Sequence, residues 1–312
     1  MEPVSRASIY ALRLGWRQTD DKYWHYAYKR PEIGIGLEYL DIDNDGEIGN
    51  PWSAYTFIEA GLIDKKRFRL ALSVDFGLSY FWKPYNTQTN DKNLALGSVL
   101  NYHVGLGFRS YVFLTENISV VLAAILNHHS NGAVTKPNLG INMASAEVGV
   151  KYNWQKRTIK REWTDTTRQI RPYTEFSIFS GVRNIDPDGE YYSFLGLHTN
   201  RMYAISGMFA VGGGAELMFD SGTFIGSTEA SVVDGVSIAG YLSTIVFIER
   251  VSLSIDIGRY MYRKEGDREI SDYYQRMSLR YQLTDRVFLA AKVRAFELRK
   301  ADLLEFHVGY RI

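Results

Sequence analysis

Apolar and polar residues alternate along this chain in long runs, and this feature restricts the fold more than any other. Over residues 67–80 the side chains of one parity are apolar: Phe68, Leu70, Leu72, Val74, Phe76, Leu78 and Tyr80. Those of the other parity are polar or small. Because successive side chains of a β-strand point to opposite faces, this pattern predicts a strand with one apolar face. The alternation recurs in residues 100–114, 273–283 and 304–312.

The length of these runs favours a membrane barrel over a soluble sandwich. Strands of soluble sandwiches usually have about five or six residues, whereas a tilted strand that crosses a bilayer needs about ten. The polar faces often carry several charges, which suits a wet lumen, and the 22 tyrosines suit a membrane–water boundary. We therefore expect an all-β fold, an antiparallel transmembrane β-barrel of a Gram-negative-type outer membrane. No run of 18 apolar residues is present, so no transmembrane helix is expected.

Turns and loops set the predicted topology. Tight turns, for example at Leu114–Asn117 and Leu283–Arg286, alternate with longer polar loops, as in outer-membrane barrels. Gly212–Gly214 is interpreted as a further turn between strands. Counting back from Ile312 to a first strand near Glu32 gives about fourteen strands, with about 12 to 16 compatible with the pattern.

No linker or low-complexity tract interrupts the sequence, so we expect one barrel domain over residues 1–312. Residues 1–30 fit three roles that the pattern does not separate: an extra strand pair, a plug or a periplasmic segment. Residues 156–171 are expected to form a long, charged connection on the short-turn side of the barrel.

Composition excludes several classes of function. The 36 basic and 35 acidic residues nearly cancel, whereas a nucleic-acid binder normally has a clear basic excess. Cysteine is absent, so the chain has no thiol nucleophile and no zinc–thiolate site. His103 and His129 have the parity of the lumen and are interpreted as satisfied interior groups rather than metal ligands. We therefore expect no metal site, no cofactor and no nucleic-acid partner.

One segment, residues 127–142, contains the residue types that carry out ester hydrolysis. His128 and Ser130 are two positions apart and so project from the same face of a strand. A serine becomes a nucleophile when a base takes its proton, and that base needs a third group to hold its ring. Asn142 begins the next strand, and a hairpin would bring it beside His128. These three residues form the predicted catalytic set.

The predicted catalytic set has the parity of the lipid-facing side chains on its two strands, such as Leu126 and Val148. It lies at the loop end of both strands, where polar groups on the lipid face cost much less than at the bilayer midplane. This position suits a membrane lipid as substrate. The alternative is that the three are interface residues with no catalytic role. Glu147, the nearest carboxylate, has the opposite parity and is expected to face the lumen.

The same segment resembles the active-site region of the outer-membrane lipid A 3-O-deacylases, the PagL family, which share a His-x-Ser-Asn stretch followed by Pro-Asn-x-Gly-Ile. The resemblance covers residues 32–155 and implies that His128 is the general base and Ser130 the nucleophile. It implies lipid A of lipopolysaccharide as substrate and other outer-membrane lipids as surroundings. The residues that it implies in substrate positioning or in the oxyanion hole are Asn131, Gly132, Ala133 and Asn138.

Two departures leave alternatives open. The best-known members of this family have Glu where this chain has Asn142, and the small members are eight-stranded and roughly half as long. An asparagine can hold the histidine ring through its amide oxygen but adds no negative charge, so we expect a slower enzyme. Residues 127–132 also resemble the outer-membrane phospholipase A family, which has a Ser-His-Asn triad and uses calcium. The expected activity is lipid A 3-O-deacylation, with phospholipase A and a non-catalytic pore or scaffold as alternatives.

Overall fold

The computed structural model describes residues 6–20, 22–155, 171–185, 187, 189–224, 231–264, 271–297 and 300–312. These residues contain fifteen β-strands, one short α-helix and two single-turn 3-10 helices. They divide into two compact units. The first unit takes the described residues of Met1–Asn131 and Gly140–Thr166, and the second unit takes those of Gly132–Leu139 and Thr167–Ile312. No helix among them is long and apolar enough to cross a membrane.

The first unit is a seven-stranded antiparallel sheet in which each strand pairs with the next one along the chain. Its strands are β1 (Ala7–Arg17), β2 (Glu32–Ile42), β3 (Trp52–Lys65), β4 (Phe68–Tyr80), β5 (Asn101–Phe113), β6 (Ile118–Ser130) and β7 (Ile141–Tyr152), with helix α1 (Tyr23–Ala27) between β1 and β2. Among the described strands β1 pairs only with β2, and β7 only with β6. Both edge strands line a cavity of about 1510 Å³.

The second unit is a closed antiparallel barrel of eight strands. Its strands are β8 (Tyr173–Asn184), β9 (Tyr191–Ala204), β10 (Phe209–Asp220), β11 (Val236–Ile248), β12 (Val251–Arg263), β13 (Tyr273–Gln282), β14 (Val287–Phe296) and β15 (Lys300–Arg311). The last strand pairs with the first one, with Val308 opposite Ile178, and this pairing closes the barrel. Closure leaves no free sheet edge in this unit.

The all-β fold is confirmed, but the count of about fourteen strands in one barrel is not. Because β15 pairs back to β8, the described strands form two sheets instead of one. Gly212–Gly214 lies inside β10, so the turn predicted there is wrong. In residues 1–30 the described part supplies one extra strand, β1, and the helix α1. The connection expected over residues 156–171 lies outside the described residues except for Arg171.

The faces predicted from parity are the ones observed. On β6 the side chains of Leu122 and Leu126 are exposed, while Ile125 and His129, of the other parity, are buried. The polar faces point inward, and their charges are paired there: Arg13 Nη1 lies 2.9 Å from Asp75 Oδ2, and Arg109 Nη1 lies 2.7 Å from Glu147 Oε2. The strands therefore present an apolar exterior around a polar interior, which is the reverse of a soluble protein.

Candidate active site

The predicted hairpin between β6 and β7 is present, and its register places His128 directly opposite Asn142. Since directly opposed residues of an antiparallel pair project from the same face, both side chains point outward. Ser130 lies two residues beyond His128 on β6 and shares this face. The structure therefore brings together the three residues that the sequence singled out.

Two hydrogen bonds connect these three side chains. His128 Nε2 lies 2.8 Å from Ser130 Oγ, and His128 Nδ1 lies 2.8 Å from Asn142 Oδ1. An amide oxygen only accepts, so Nδ1–H of His128 donates to Asn142 and the lone pair of Nε2 accepts from the Ser130 hydroxyl. This is the tautomer in which an imidazole can take a proton from serine.

The serine hydroxyl is the most protected of the three groups. Ser130 is buried, with 6% of its surface exposed, whereas His128 is half-buried and Asn142 is exposed. On its other side Ser130 pairs with Tyr102 of β5. The Ser130 hydroxyl thus lies between neighbouring strands, and the side chains of His128 and Asn142 are more exposed than it is.

Gly140, at the end of the loop before β7, allows the chain to pass close to the histidine ring. Its φ is +74°, and a Cβ there would lie 2.7 Å from His128 Cε1. Its amide donates to the carbonyl of Ala95 at 2.9 Å. A side chain at position 140 would therefore push against the ring and also strain the backbone.

The loop between β4 and β5 supports the other side of the site. Asn131 Nδ2 donates to Ser98 Oγ at 3.1 Å, and Ser98 Oγ donates to the carbonyl of Leu100 at 2.8 Å. These bonds fix the chain directly after Ser130. Ser98 and Ala95 were not among the predicted site residues, because alternation alone does not show which loop braces which strand.

The remaining residues expected to position the substrate lie in the segment that belongs to the second unit. Gly132 and Ala133 both have φ of +67°, so the chain turns sharply there, and Asn138 is buried. Within the second unit Gly132 lies against Leu304, and the amide of Asn184 donates to the carbonyl of Val134 at 3.1 Å. The role of Asn131, Gly132, Ala133 and Asn138 in an oxyanion hole stays a prediction.

Glu147 and five of the six histidines lie elsewhere. Glu147 points inward and pairs with Arg109, as its parity predicted. The histidines other than His128 are all buried: His25, His103, His129, His198 and His307. His128 is therefore the one histidine on an outward strand face, and all six histidines lie in the described part of the chain.

Comparison with known families assigns both halves of the chain. Residues 10–151 match the family model of lipid A 3-O-deacylase (PagL), and residues 173–312 match that of the acyloxyacyl hydrolase C-terminal domain. The chain belongs to the PagL family. PagL is an outer-membrane family of lipid A deacylases, which are ester hydrolases, and the triad of His128, Ser130 and Asn142 falls inside the first of the two matched regions.

Similarity to solved structures is weak. A porin from Rhodopseudomonas blastica is 12% identical, with 98% of this chain and 90% of the porin covered, at a TM-score of 0.20. The β domain of the Bordetella autotransporter BrkA is 11% identical, with 98% of each chain covered, at a TM-score of 0.22. No match was found among curated proteins.

Proposed function

We propose that this chain is an outer-membrane esterase that removes the 3-O-linked hydroxyacyl chain from lipid A. Ser130 is the nucleophile, His128 the general base and Asn142 the group that orients the histidine ring. The observation that carries the proposal is the hydrogen-bonded chain from Asn142 through His128 to Ser130 on an outward strand face. Membership of the PagL family supports the substrate class.

The distribution of exposed side chains supports a site that faces lipid. Val148 and Val150 of β7 are 82% and 77% exposed, and Leu126 of β6 is 63% exposed. Apolar side chains are this exposed only where the surroundings are themselves apolar, as around a barrel in a membrane. A lipid ester at the end of β6 would therefore reach Ser130 from the membrane side without passing through water.

The reaction follows from the two hydrogen bonds. Ser130 Oγ attacks the ester carbonyl carbon and its proton moves to His128 Nε2. When the carbon–oxygen bond to the sugar breaks, the same proton passes to the departing sugar oxygen, leaving the hydroxyacyl group on Ser130. Water then attacks this acyl-enzyme, His128 Nε2 takes its proton, and return of that proton to Ser130 Oγ releases the free hydroxy acid.

Asn142 orients the histidine ring of this triad but limits its rate, because it is neutral. Its amide oxygen holds Nδ1–H of His128, so the ring keeps the correct tautomer and orientation. It carries no charge to stabilise the imidazolium that forms when Ser130 loses its proton. We therefore expect a functional but slower esterase than one with a carboxylate at this position.

The Ser-His-Asn arrangement also favours a second candidate, an outer-membrane phospholipase A. That family combines the same three residue types and depends on calcium. The two candidates differ in product, since one releases a hydroxy fatty acid from lipid A and the other leaves a lysophospholipid.

Mass spectrometry of lipid A from cells that produce the protein tests the proposal. We expect lipid A to lose one 3-O-linked hydroxyacyl chain with the native protein and to stay intact with Ser130→Ala. Ser110→Ala is the matched control, because Ser110 lies on the outward face of β5 and its hydroxyl donates to the backbone carbonyl of Leu122. Loss of the chain with Ser130→Ala as well would contradict the proposed nucleophile. Lysophospholipid that disappears on chelation of calcium would favour the phospholipase, and no lipid change would favour a scaffold.

A further inference from the structure

Three ligand-type side chains meet inside the first unit with several of their polar atoms unsatisfied. Glu38 of β2, His103 of β5 and His129 of β6 each place one nitrogen or oxygen within 4.8 Å of the others. All three side chains are buried, and His103 and His129 have no exposed surface. The two histidines were expected to be satisfied interior groups, and the structure contradicts this expectation.

The unsatisfied atoms are specific. Glu38 Oε1, both ring nitrogens of His103 and His129 Nε2 are buried and have no hydrogen-bond partner. A buried polar atom without a partner costs about 1–3 kcal/mol, and more for a charged group. Four such atoms on three side chains that meet are expensive unless something binds there. The ligand that two imidazole nitrogens and a carboxylate oxygen bind together is a divalent transition metal.

We propose that Glu38, His103 and His129 form a zinc site inside the first unit. Zinc bound by two histidines and one carboxylate keeps its fourth position for water, and its bonds to such ligands are about 2.0–2.2 Å long. Tetrahedral ligand atoms at that length lie about 3.4 Å apart. The three side chains therefore need only a small inward movement to close around the ion.

The hydrogen bonds around His129 fit a ring that binds a metal through Nε2. Ser79 Oγ accepts from Trp82 Nε1 at 2.7 Å, and it lies 3.4 Å from the carbonyl oxygen of Asn101 and 3.2 Å from His129 Nδ1. When the Ser79 hydroxyl donates to Asn101, its oxygen accepts Nδ1–H of His129, and Nε2 then presents its lone pair to the cluster. An outer hydrogen bond of this type is what most metal-bound histidines have.

The charge around the cluster is compatible with a cation. Glu38 supplies one negative charge, and Asp75, the next carboxylate, is already bonded to Arg13 at 2.9 Å. The nearby Arg109 is paired with Glu147. No arginine or lysine in the described part of the first unit forms a salt bridge with Glu38, so its charge is available to the metal.

His129 connects the proposed zinc site to the strand that carries His128 and Ser130. His129 lies between His128 and Ser130 on β6, and its side chain points to the opposite face. A metal that ties β6 to β2 and β5 would fix the backbone between the two residues that exchange the proton. Zinc would act as a positioning element behind the site, with no contact to the substrate. This role of zinc is the same whichever lipid is hydrolysed.

Zinc binding to the full chain in detergent, after treatment with a chelator, tests the site. Titration with zinc chloride in a calorimeter should show one ion per native chain, and cobalt in its place should give the absorption of a tetrahedral nitrogen–oxygen site. His103→Gln should weaken zinc binding about 100-fold or more, and Ser79→Ala about tenfold. If His103→Gln does not fold, Glu38→Gln takes its place in the test, because glutamine keeps the shape of the glutamate side chain. Glu38→Gln should also weaken zinc binding about 100-fold or more.

His307→Gln is the matched control. His307 is a buried histidine of the second unit, and both of its nitrogens have partners, at 3.0 Å from Ser177 Oγ and 2.9 Å from Glu305 Oε2. This variant should bind zinc as the native chain does. A native chain that takes up no zinc would overturn the proposal. So would folded His103→Gln and Glu38→Gln variants that bind zinc with unchanged affinity.

Discussion

The two units fill their interiors differently. In the first unit the edge strands β1 and β7, which each pair with one other described strand, line a cavity of about 1510 Å³. In the second unit a cavity inside the closed barrel is about 20 Å³. The second unit fills its barrel with three cations and three anions that neutralise one another: Arg276, Lys292, Arg294, Glu216, Asp256 and Glu305. Each of these side chains has at least one partner of opposite charge.

The outer surfaces differ as well. The first unit carries His128, Ser130 and Asn142 on its outward face, whereas the two histidines of the second unit, His198 and His307, both point into the barrel. The second unit is thus a closed barrel whose six central charges are paired with one another. The first unit carries the candidate chemistry and the cluster of Glu38, His103 and His129. Closure of a barrel pairs the backbone of its edge strands, and among the described strands the unit with the candidate site is the one whose edge strands, β1 and β7, each pair on one side only.

The largest effect on the hydrolysis rate is expected from replacing the outward histidine, in contrast to an inward one. His128→Ala should lower the rate of lipid A hydrolysis about 10³-fold or more, because Ser130 then has no base. His198→Gln, in the interior of the second unit, should leave the rate within about threefold for equal amounts of folded protein. The measurement is release of hydroxy fatty acid from purified lipid A. Equal losses in the two variants would remove the functional distinction between the units.

A second prediction compares the two interiors. Arg294→Met should destabilise the protein by about 3–5 kcal/mol, because Glu216 and Glu305 are then buried without this partner. Arg13→Met should cost less, about 2 kcal/mol, because Arg13 and its partner Glu59 line the large cavity, so that water can replace part of the lost guanidinium. Unfolding by urea, followed by the far-ultraviolet circular dichroism of the β-strands, measures both. The reverse order would mean that the first unit's interior is the drier of the two.

A third prediction concerns the close approach beside His128. Gly140→Ala should lower the hydrolysis rate about 10- to 100-fold, since the added Cβ displaces the ring or shifts the loop. Gly149→Ala on β7 is the control, because nothing lies within 4 Å of a Cβ there and it should have no effect on the rate. If Gly140→Ala has the rate of the native chain, the ring position in the hydrogen-bonded triad is not important for catalysis.

The smallest expected effect tests the neutral third residue. Asn142→Asp places a negative charge next to the ring and should raise the rate by up to about tenfold, provided that the carboxylate keeps the bond to Nδ1–H. Asn142→Leu, which removes the bond, should lower the rate. The hydrolysis rates are compared at saturating lipid A, so that differences in substrate binding do not affect them. A slower Asn142→Asp variant would contradict the view that missing charge limits this triad.

Strand faces and local hairpins were predictable from the sequence. Alternation identified the outward side chains on β6 and β7, and the short distance between His128 and Asn142 along the chain made their pairing predictable. Both results depend only on neighbours in sequence, which a period of two residues encodes directly. The candidate triad could therefore be identified from the amino-acid sequence alone.

The division of the strands between two sheets was not predictable in the same way. Parity gives the face of a strand but not its distant partner, and the pairing of Val308 with Ile178 joins residues 130 positions apart. The same limit applies inside the first unit, where Glu38 and His103 come from separate strands. Their lack of hydrogen-bond partners depends on packing across the interior, which alternation does not describe. Ser98 was not assigned to the site for the related reason that loops have no period.

The most direct test of the central claim is to label the nucleophile. A lipid phosphonate that reacts with activated serines should attach once to the native chain, and peptide mass spectrometry should place the label on Ser130. The label should be lost in His128→Ala, because the hydroxyl is then not activated. A label on another serine, or labelling of Ser130 that does not depend on His128, would contradict the account of the outward face of β6 and β7 as the active site.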